Sequence, residues 1–367
     1  MKILLLALIF LIFTQISYCQ TLKLEDVKQV RIRGNKEDVI AFRGIVYVNE
    51  NHNDASSKKI HIPVLVAKSF SDTPKEPIFW LAGGPGQSNM NFRPTRYLLE
   101  NHDVILVGYR GVDGMVKLNS KKISKAMKGL NHSLLSDESL DNLGNIIDEY
   151  FEEISSSVDI NAYNIVNVIE DFEVVRKALG YDKINLLSSS YGTRVALTYS
   201  YLYPEVINRT VMVGANPHNR FIWHPEKTSE IIKYYDSIYQ NSSNRVLGES
   251  IERNIKLALE KMPKRWTLFR LDQDKIKIAT FLMLYNKENA VIAFNSYYKA
   301  AKNNDYSGLY LMQLLYDYIF PRSFIWGDLF LKAATVDYDN SLNYRELLQV
   351  EKSSLGAPLS LFVIAKT

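Results

Sequence analysis

The sequence predicts an α/β fold: a doubly wound, mostly parallel sheet with helices on its faces and a helical cap inserted into it. Three observations carry this. Short apolar runs bounded by turn signals, Pro77 to Ala82 and Asp103 to Gly108, have the composition of strands buried on both faces. Between Ile165 and Gly214 strand and helix signals alternate, as in a parallel sheet joined by crossover helices. From about Ser229 to Leu348 the apolar residues follow helical periods, which marks a separate helical layer.

The chain opens with Met1-Lys2, an apolar run from Ile3 to Phe13, and a more polar stretch to Gln20, the layout of a secretory signal peptide. The run of about 11 apolar residues is too short for a spanning helix, which needs roughly 20. Cleavage before Gln20 would place Ser17 and Cys19 at the −3 and −1 positions, giving a signal peptide over 1–19. Lipidation of Cys19 is the competing reading, and Tyr18 before it argues against that.

The core is expected over 20–215. Ile40 to Val48 and Ile60 to Lys68 alternate around the polar loop Asn49 to Asp54, a hairpin signal. Val112 to Ser157 reads as a surface excursion with one helix near Glu138 to Glu153. A helix follows with Ile165, Val168, Ile169, Phe172, Val175 and Leu179 on one stripe, stopped by Gly180. Strand Ile184 to Leu187, helix Tyr191 to Tyr203 and strand Thr210 to Gly214 complete this part. The cap is expected over 216–352, with no alternating strand. Its stripes include Ile231, Ile232, Tyr235 and Ile238, then Ile251, Ile255 and Leu259, then Tyr310, Leu314, Leu315 and Tyr318. Its aromatic residues read as helix–helix core. Gly356 and the apolar segment Ala357 to Ala365 read as a return strand over 353–367.

Cys19 is the only cysteine in 367 residues, so a chain cleaved after it has no disulfide, thiolate metal site or cysteine nucleophile. The formal net charge of +4 is spread among interspersed acids and bases, which gives no support for nucleic acid or an anionic membrane as partner. No second apolar run is long enough to span a bilayer. A soluble or loosely surface-held product outside the cytoplasm is expected. No metal-ligand cluster or nucleotide fingerprint appears, so no cofactor is expected. The sequons at Asn131, Asn208 and Asn241 occur at chance level.

Two motifs carry chemistry. Ser188-Ser189-Ser190-Tyr191-Gly192 sits between a strand and a helix, the context of a nucleophile elbow, where the turn exposes a serine hydroxyl above the sheet. Gly192 supplies the small residue two places after Ser190. Ser188 stands where glycine is more usual, a mild departure. The plainer reading is a polar turn with capping hydroxyls. Upstream, Leu81-Ala82-Gly83-Gly84-Pro85-Gly86-Gln87-Ser88 follows a buried strand and can turn N–H groups inward. Acyl transfer develops an oxyanion, and two fixed donors would stabilise it. The candidates are the N–H of Gly84, or of Gly83 if the turn differs, and that of Tyr191. Pro85 lacks a donor and stiffens the loop.

Together, Gly83 to Ser88 and Ser190-Tyr191-Gly192-Thr193-Arg194 resemble the proline iminopeptidase and tripeptidyl aminopeptidase branch of the α/β-hydrolases. Val107-Gly108-Tyr109-Arg110-Gly111 resembles that family's strand-four segment, which more often reads Asp-Gln-Arg-Gly, and Asp171 to Gly180 resembles its helix before the elbow. The likeness covers roughly residues 40 to 220. It implies a serine peptidase releasing single or short N-terminal residues of a peptide under a helical cap. Ser190 would be the nucleophile, with Gly84 and Tyr191 forming the oxyanion hole.

The chain order in this fold is serine, acid, histidine. Only His218 and His224 follow Ser190, both near the start of the cap, and no carboxylate follows Gly214 in Ala215-Asn216-Pro217-His218. Asn216 could orient a base, but none is placed for it. Asp337 and Asp339 read as a solvated pair. By the family pattern the acid and histidine would come beyond Thr367, so the last core strands are expected to be missing. Truncation is favoured over a chain that has lost hydrolysis, and negligible turnover is expected. An esterase of the same machinery and a non-catalytic peptide or ligand binder remain alternatives. Glu226, Glu230, Glu249 and Glu252 are the cap carboxylates that could hold a substrate amine. The oligomeric state is open.

Overall fold

The computed structural model describes residues 24–34, 38–129, 133–218, 224–240, 250–336, 343 and 353–358. The expected signal peptide, Asp337, Asp339, Glu249, the sequons at Asn131 and Asn241, and the return strand beyond Pro358 lie outside these residues. Seven strands form one sheet: β1 (Glu25–Arg33), β2 (Asp38–Asn49), β3 (Lys59–Ala67), β4 (Lys75–Leu81), β5 (His102–Val107), β6 (Ile184–Ser189) and β7 (Ile207–Val213), in the order β1-β2-β3-β5-β4-β6-β7. The pairs β5/β4, β4/β6 and β6/β7 are parallel, while β1/β2, β2/β3 and β3/β5 are antiparallel. The sheet is therefore mixed, and its parallel half carries the elbow. The short polar connection between β2 and β3 permits only antiparallel pairing, since parallel neighbours need a long crossover.

Period-two alternation places the core on both faces. Ile105 and Val107 of β5 join Phe79, Leu186 and Val64 on one face, beneath Phe172 and Val175 of α4 (Ile165–Ala178) and Val195 and Tyr199 of α5 (Tyr191–Leu202). Val104 and Leu106 point the other way, with Ile78, Leu65 and Leu99 of the short α1 (Arg96–Leu99). On that second face Val211 and Val213 of β7 are 56% and 58% exposed, and β6 is the only strand that β7 pairs with among the described residues.

The helical layer contains α6 (Pro225–Gln240), α7 (Ile251–Glu260), α8 (Gln273–Met283), α9 (Lys287–Asn303), α10 (Ser307–Ile319) and α11 (Trp326–Val336). The segment read as a surface excursion instead contributes two helices, α2 (Lys121–Ala126) and α3 (Asp137–Ser155). Their Ile123, Leu143 and Ile147 pack into the same core as Ile255, Phe281, Phe294, Tyr316 and Trp326. Most large aromatics here are core, as their spacing suggested. In α10 the helix matches but the buried face does not: Leu309, Met312 and Tyr316 are buried, whereas Leu314, Leu315 and Tyr318 are exposed. That helix is apolar on nearly every side, so periodicity cannot choose its inward face. In α6, likewise, Ile232 is buried and Ile231 and Ile238 are exposed.

The expectation of no strand in the cap is corrected by a minimal hairpin, β8 (Arg265–Trp266) against β9 (Phe269–Arg270), turning at Thr267 with φ 55°. Two residues per strand are too few to show alternation. Ser353–Pro358, the described part of the expected return segment, forms no strand, and Leu355 packs into the helical core.

Candidate active site

The elbow lies where β6 gives way to α5. Ser190 has φ 51° and ψ −122°, a region costly for any residue with a Cβ. The turn is held on both sides. Ser190 N–H donates to the Val213 carbonyl at 2.9 Å, and its own carbonyl accepts from the Thr193 N–H at 2.9 Å and the Thr193 hydroxyl at 2.6 Å. A Cβ on Gly192 would lie 2.1 Å from the Leu81 carbonyl oxygen and 2.6 Å from that of Ala82, so only glycine lets α5 start this close to the end of β4. Ser188 is tolerated because its buried hydroxyl donates sideways to the Val211 carbonyl at 3.0 Å.

Opposite the elbow runs the loop after β4. A Cβ on Gly83 would meet the Ser190 Cβ at 3.1 Å, which puts the two turns in contact. Gly84 has φ 118°, Gly86 has φ 80°, and the Gly84–Pro85 peptide is cis. The N–H groups of Gly83 and Gly84 have no acceptor among the described residues. Gly86 N–H, by contrast, donates to Asp328 Oδ2 at 3.0 Å, and the Gly86 carbonyl accepts from the Ile325 N–H at 2.8 Å.

Four residues that sequence reasoning missed fix this loop. Asn89, fully buried, accepts from the Ala82 N–H at 2.7 Å and donates to the carbonyls of Trp80 at 2.9 Å and Val107 at 2.7 Å, tying the ends of β4 and β5 together. Asp113 accepts from the N–H groups of Asn89 and Tyr109, both at 2.9 Å. Asp328 on α11 pairs with Lys332 at 2.5 Å, and Lys332 also donates to the Arg110 carbonyl at 3.2 Å. Burial pushes the Asp328 carboxyl above its ordinary range, against the opposing pull of Lys332 and the Gly86 N–H. The one available signal was an Asp and a Lys four residues apart in an otherwise apolar helix.

The Tyr109-Arg110-Gly111 segment buttresses the same place. Tyr109 OH donates to the Ala82 carbonyl at 3.2 Å. Arg110 makes a two-pronged bond to Asp171 of α4 at 2.7 and 2.6 Å. A Cβ on Gly111 would sit 2.5 Å from Asp328 Oδ1.

Ser190, Gly83 and Gly84 line a cavity of about 670 Å³. Its walls include Trp80 and Phe92, stacked at 4.2 Å, with Leu282, Tyr285, Phe324 and Leu329 from the helical layer. It opens at the carboxyl ends of β4 and β6, where open α/β sheets hold their ligands. A smaller cavity of about 330 Å³ lies at the opposite strand ends, between Lys75, Asn185 and Arg209. Pro85, Gly86 and Gly192 are buried behind the loop and elbow. Tyr191 does not line the cavity; its ring is in the sheet core, and its N–H belongs to the first turn of α5.

No histidine or carboxylate lines this cavity among the described residues. The exposed His218 meets the Thr198 hydroxyl at 3.3 Å, and His224 is exposed at the start of α6. His52 pairs with Asp171 at 2.8 Å, sharing that carboxylate with Arg110. Asn216 does line the cavity, held by Arg194 at 2.8 Å. Glu226, Glu230 and Glu252 do not reach it; Glu230 pairs with Lys227 at 2.8 Å. Among the described residues no cluster of His, Cys, Asp and Glu could hold a metal ion, and no helix is long and apolar enough to cross a membrane.

A tripeptidyl aminopeptidase of Streptomyces lividans is 33% identical over 69 residues, 18% of this chain and 13% of that protein. The serine protease Hip1 of Mycobacterium tuberculosis is 40% identical over 50 residues, 14% of this chain and 10% of that protein. The matches thus span only a small part of these relatives' lengths. Among solved structures, a 2-hydroxy-6-oxo-6-phenylhexa-2,4-dienoate hydrolase from Rhodococcus sp. strain RHA1 is 15% identical, covering 79% of this chain and 72% of its own at a TM-score of 0.29. A proline iminopeptidase-related protein from Thermus thermophilus is 17% identical, covering 52% and 50% at 0.29. The model of the alpha/beta hydrolase fold matches residues 76–346, and with most of the sequence inside that match the chain belongs to the α/β-hydrolase family.

Proposed function

We propose that the protein is an exported serine hydrolase of peptide or small acyl substrates, with Ser190 at the nucleophile position and the N–H groups of Gly84 and Tyr191 as oxyanion donors. The observation that carries this is the strained, exposed Ser190 lining the cavity, in contact with a glycine loop whose Gly83 and Gly84 N–H groups have no acceptor among the described residues. Strain of this kind persists where the surroundings enforce it and is concentrated at functional turns. The short likenesses to a tripeptidyl aminopeptidase and to Hip1 support the peptidase arm over the esterase arm.

Acyl transfer here would run by attack of Ser190 Oγ on the carbonyl carbon, the carbonyl oxygen becoming the oxyanion. The serine proton needs a base, and none of the described residues supplies one at the cavity. Turnover by residues 20–367 is therefore expected to be negligible with both aminoacyl arylamides and short acyl esters. Robust Ser190-dependent turnover would overturn that expectation, and the better substrate class would decide between the two arms.

The nucleophile assignment itself is tested by a peptide boronate, whose boron bonds to a serine oxygen without needing full turnover. Ser190→Ala should weaken boronate binding by tenfold or more, roughly the loss of one well-made interaction. Equal affinity in the two proteins would refute the assignment. A non-catalytic binder is the second reading, favoured by the absence of histidine from the described cavity wall. It requires that Ser190→Ala leave the affinity for unmodified peptides unchanged and that the boronate gain nothing from the serine.

A further inference from the structure

Among the described residues the cavity wall contains one formal charge. Of its described lining side chains only Arg93 and Tyr285 are ionisable, and a tyrosine phenol is neutral near pH 7. Arg93 is exposed and has no carboxylate partner among the described residues. The acids closest to the loop in the bonding pattern are already committed. Asp113 accepts from Asn89 and Tyr109, and Asp328 from Gly86 and Lys332, all on the buried side of the loop. Arg93 also has a fixed base, because the preceding Phe92 stacks on Trp80 at an interplanar angle of 17°. Nearby Arg96 is differently placed, with its guanidinium 5.2 Å from the Phe70 ring.

We propose that Arg93 makes the Ser190 cavity a site for carboxylate-bearing substrates: acyl groups or peptides presenting an anionic end or acidic side chain beside the reacting carbonyl. This rests on reading the cavity as the substrate site. The guanidinium fork matches a carboxylate in two-pronged geometry. Trp80, Phe92 and Phe324 line the same cavity and lower the dielectric within it, which strengthens the attraction. A free substrate amine, the group an aminopeptidase must hold, would meet this cation without a compensating acid from the described wall.

The test uses peptides of one length that differ only at their ends: succinyl-trialanine amide, acetyl-trialanine amide, acetyl-trialanine as free acid, and trialanine amide with a free amine. Dissociation constants are read from tryptophan fluorescence, for wild type, Arg93→Gln and Arg93→Lys. In wild type at least one carboxylate peptide should bind roughly twofold to fivefold tighter than acetyl-trialanine amide at low ionic strength, the range of an exposed charge pair. The preference should shrink in about 1 M salt. Arg93→Gln should abolish it while leaving the neutral peptide's affinity unchanged, which also controls for folding, and Arg93→Lys should restore part of it. Equal binding of all four peptides, a preference that survives Arg93→Gln, or tightest binding by the free amine would overturn the proposal. These affinities involve no bond to Ser190, so they read separately from the boronate experiment.

Discussion

The buried pair behind the glycine loop offers the sharpest quantitative test. Asp328→Ala would leave the Lys332 ammonium, 3% exposed, with only the Arg110 carbonyl at 3.2 Å. The lysine can then stay charged, which costs several kcal/mol in a buried site, or release its proton. Release sets a ceiling: from an ordinary pKa of about 10.4, neutralisation at pH 7 costs about 4.6 kcal/mol. Gly86 N–H also loses its acceptor, a further ~1–3 kcal/mol. The expected loss is about 4–6 kcal/mol, a large share of a typical folding free energy of about 5–15 kcal/mol. Asp328→Asn keeps an acceptor for Gly86 and should lose less. Asp328→Leu with Lys332→Met removes both charges and should recover most of the stability.

Urea unfolding of Asp328→Ala at pH 7 should show this deficit. A deficit under about 1 kcal/mol would refute the assignment of this pair as the brace of the loop.

Three further outcomes are expected. Gly192→Ala should lower stability by about 3 kcal/mol or more in denaturant titration, because a Cβ 2.1 Å from a backbone oxygen forces α5 away from β4; a loss under about 1 kcal/mol would contradict that contact. Ser190→Gly should raise the Tm, with a gain of about 1 kcal/mol from relieving the positive φ, whereas Ser190→Ala should not; a lower Tm for the glycine variant would contradict the strain. Burial alone would raise the carboxyls of Asp103 and Glu173, but bonds from Lys68, Ser69 and Tyr181 to the first, and from Arg176 and Tyr199 to the second, hold both below the ordinary carboxylate range. Their stabilisation is present above an unfolded carboxyl pKa of about 4 and lost as pH falls through the folded values. Unfolding midpoints should thus decline in that acid range and decline less in Asp103→Asn/Glu173→Gln; equal acid limbs would count against these pairs.

The elbow and the glycine loop were legible because backbone constraints write themselves into local sequence. Gly192 is forced by a close approach, and Gly84 and Gly86 by positive φ, so small residues cluster where the turns are. Central strands were legible for a related reason: burial on both faces leaves little choice but aliphatic residues. β1 was missed because EDVKQVRIR is the charged, exposed sequence of an edge strand. The inward face of α10 was unreadable because its apolar residues go all the way round. Asn89, Asp113, Asp328 and Lys332 were missed for a deeper reason: each is an ordinary polar residue whose role exists only once distant elements meet. Ser188 shows the reverse case, a departure from pattern whose explanation, a sideways bond to β7, is tertiary.

The bond from Gly86 to Asp328 joins residues 242 positions apart. During synthesis at about 5–20 residues per second, the glycine loop would be made roughly 12 to 48 s before the acid that fastens it. Over the later part of that interval, once Ser190 has been made, a nascent chain can carry the elbow while the opposite wall of the cleft still lacks its clasp. The finished cleft is thus a late product of biogenesis, and an N-terminal fragment released early would lack the means to complete it.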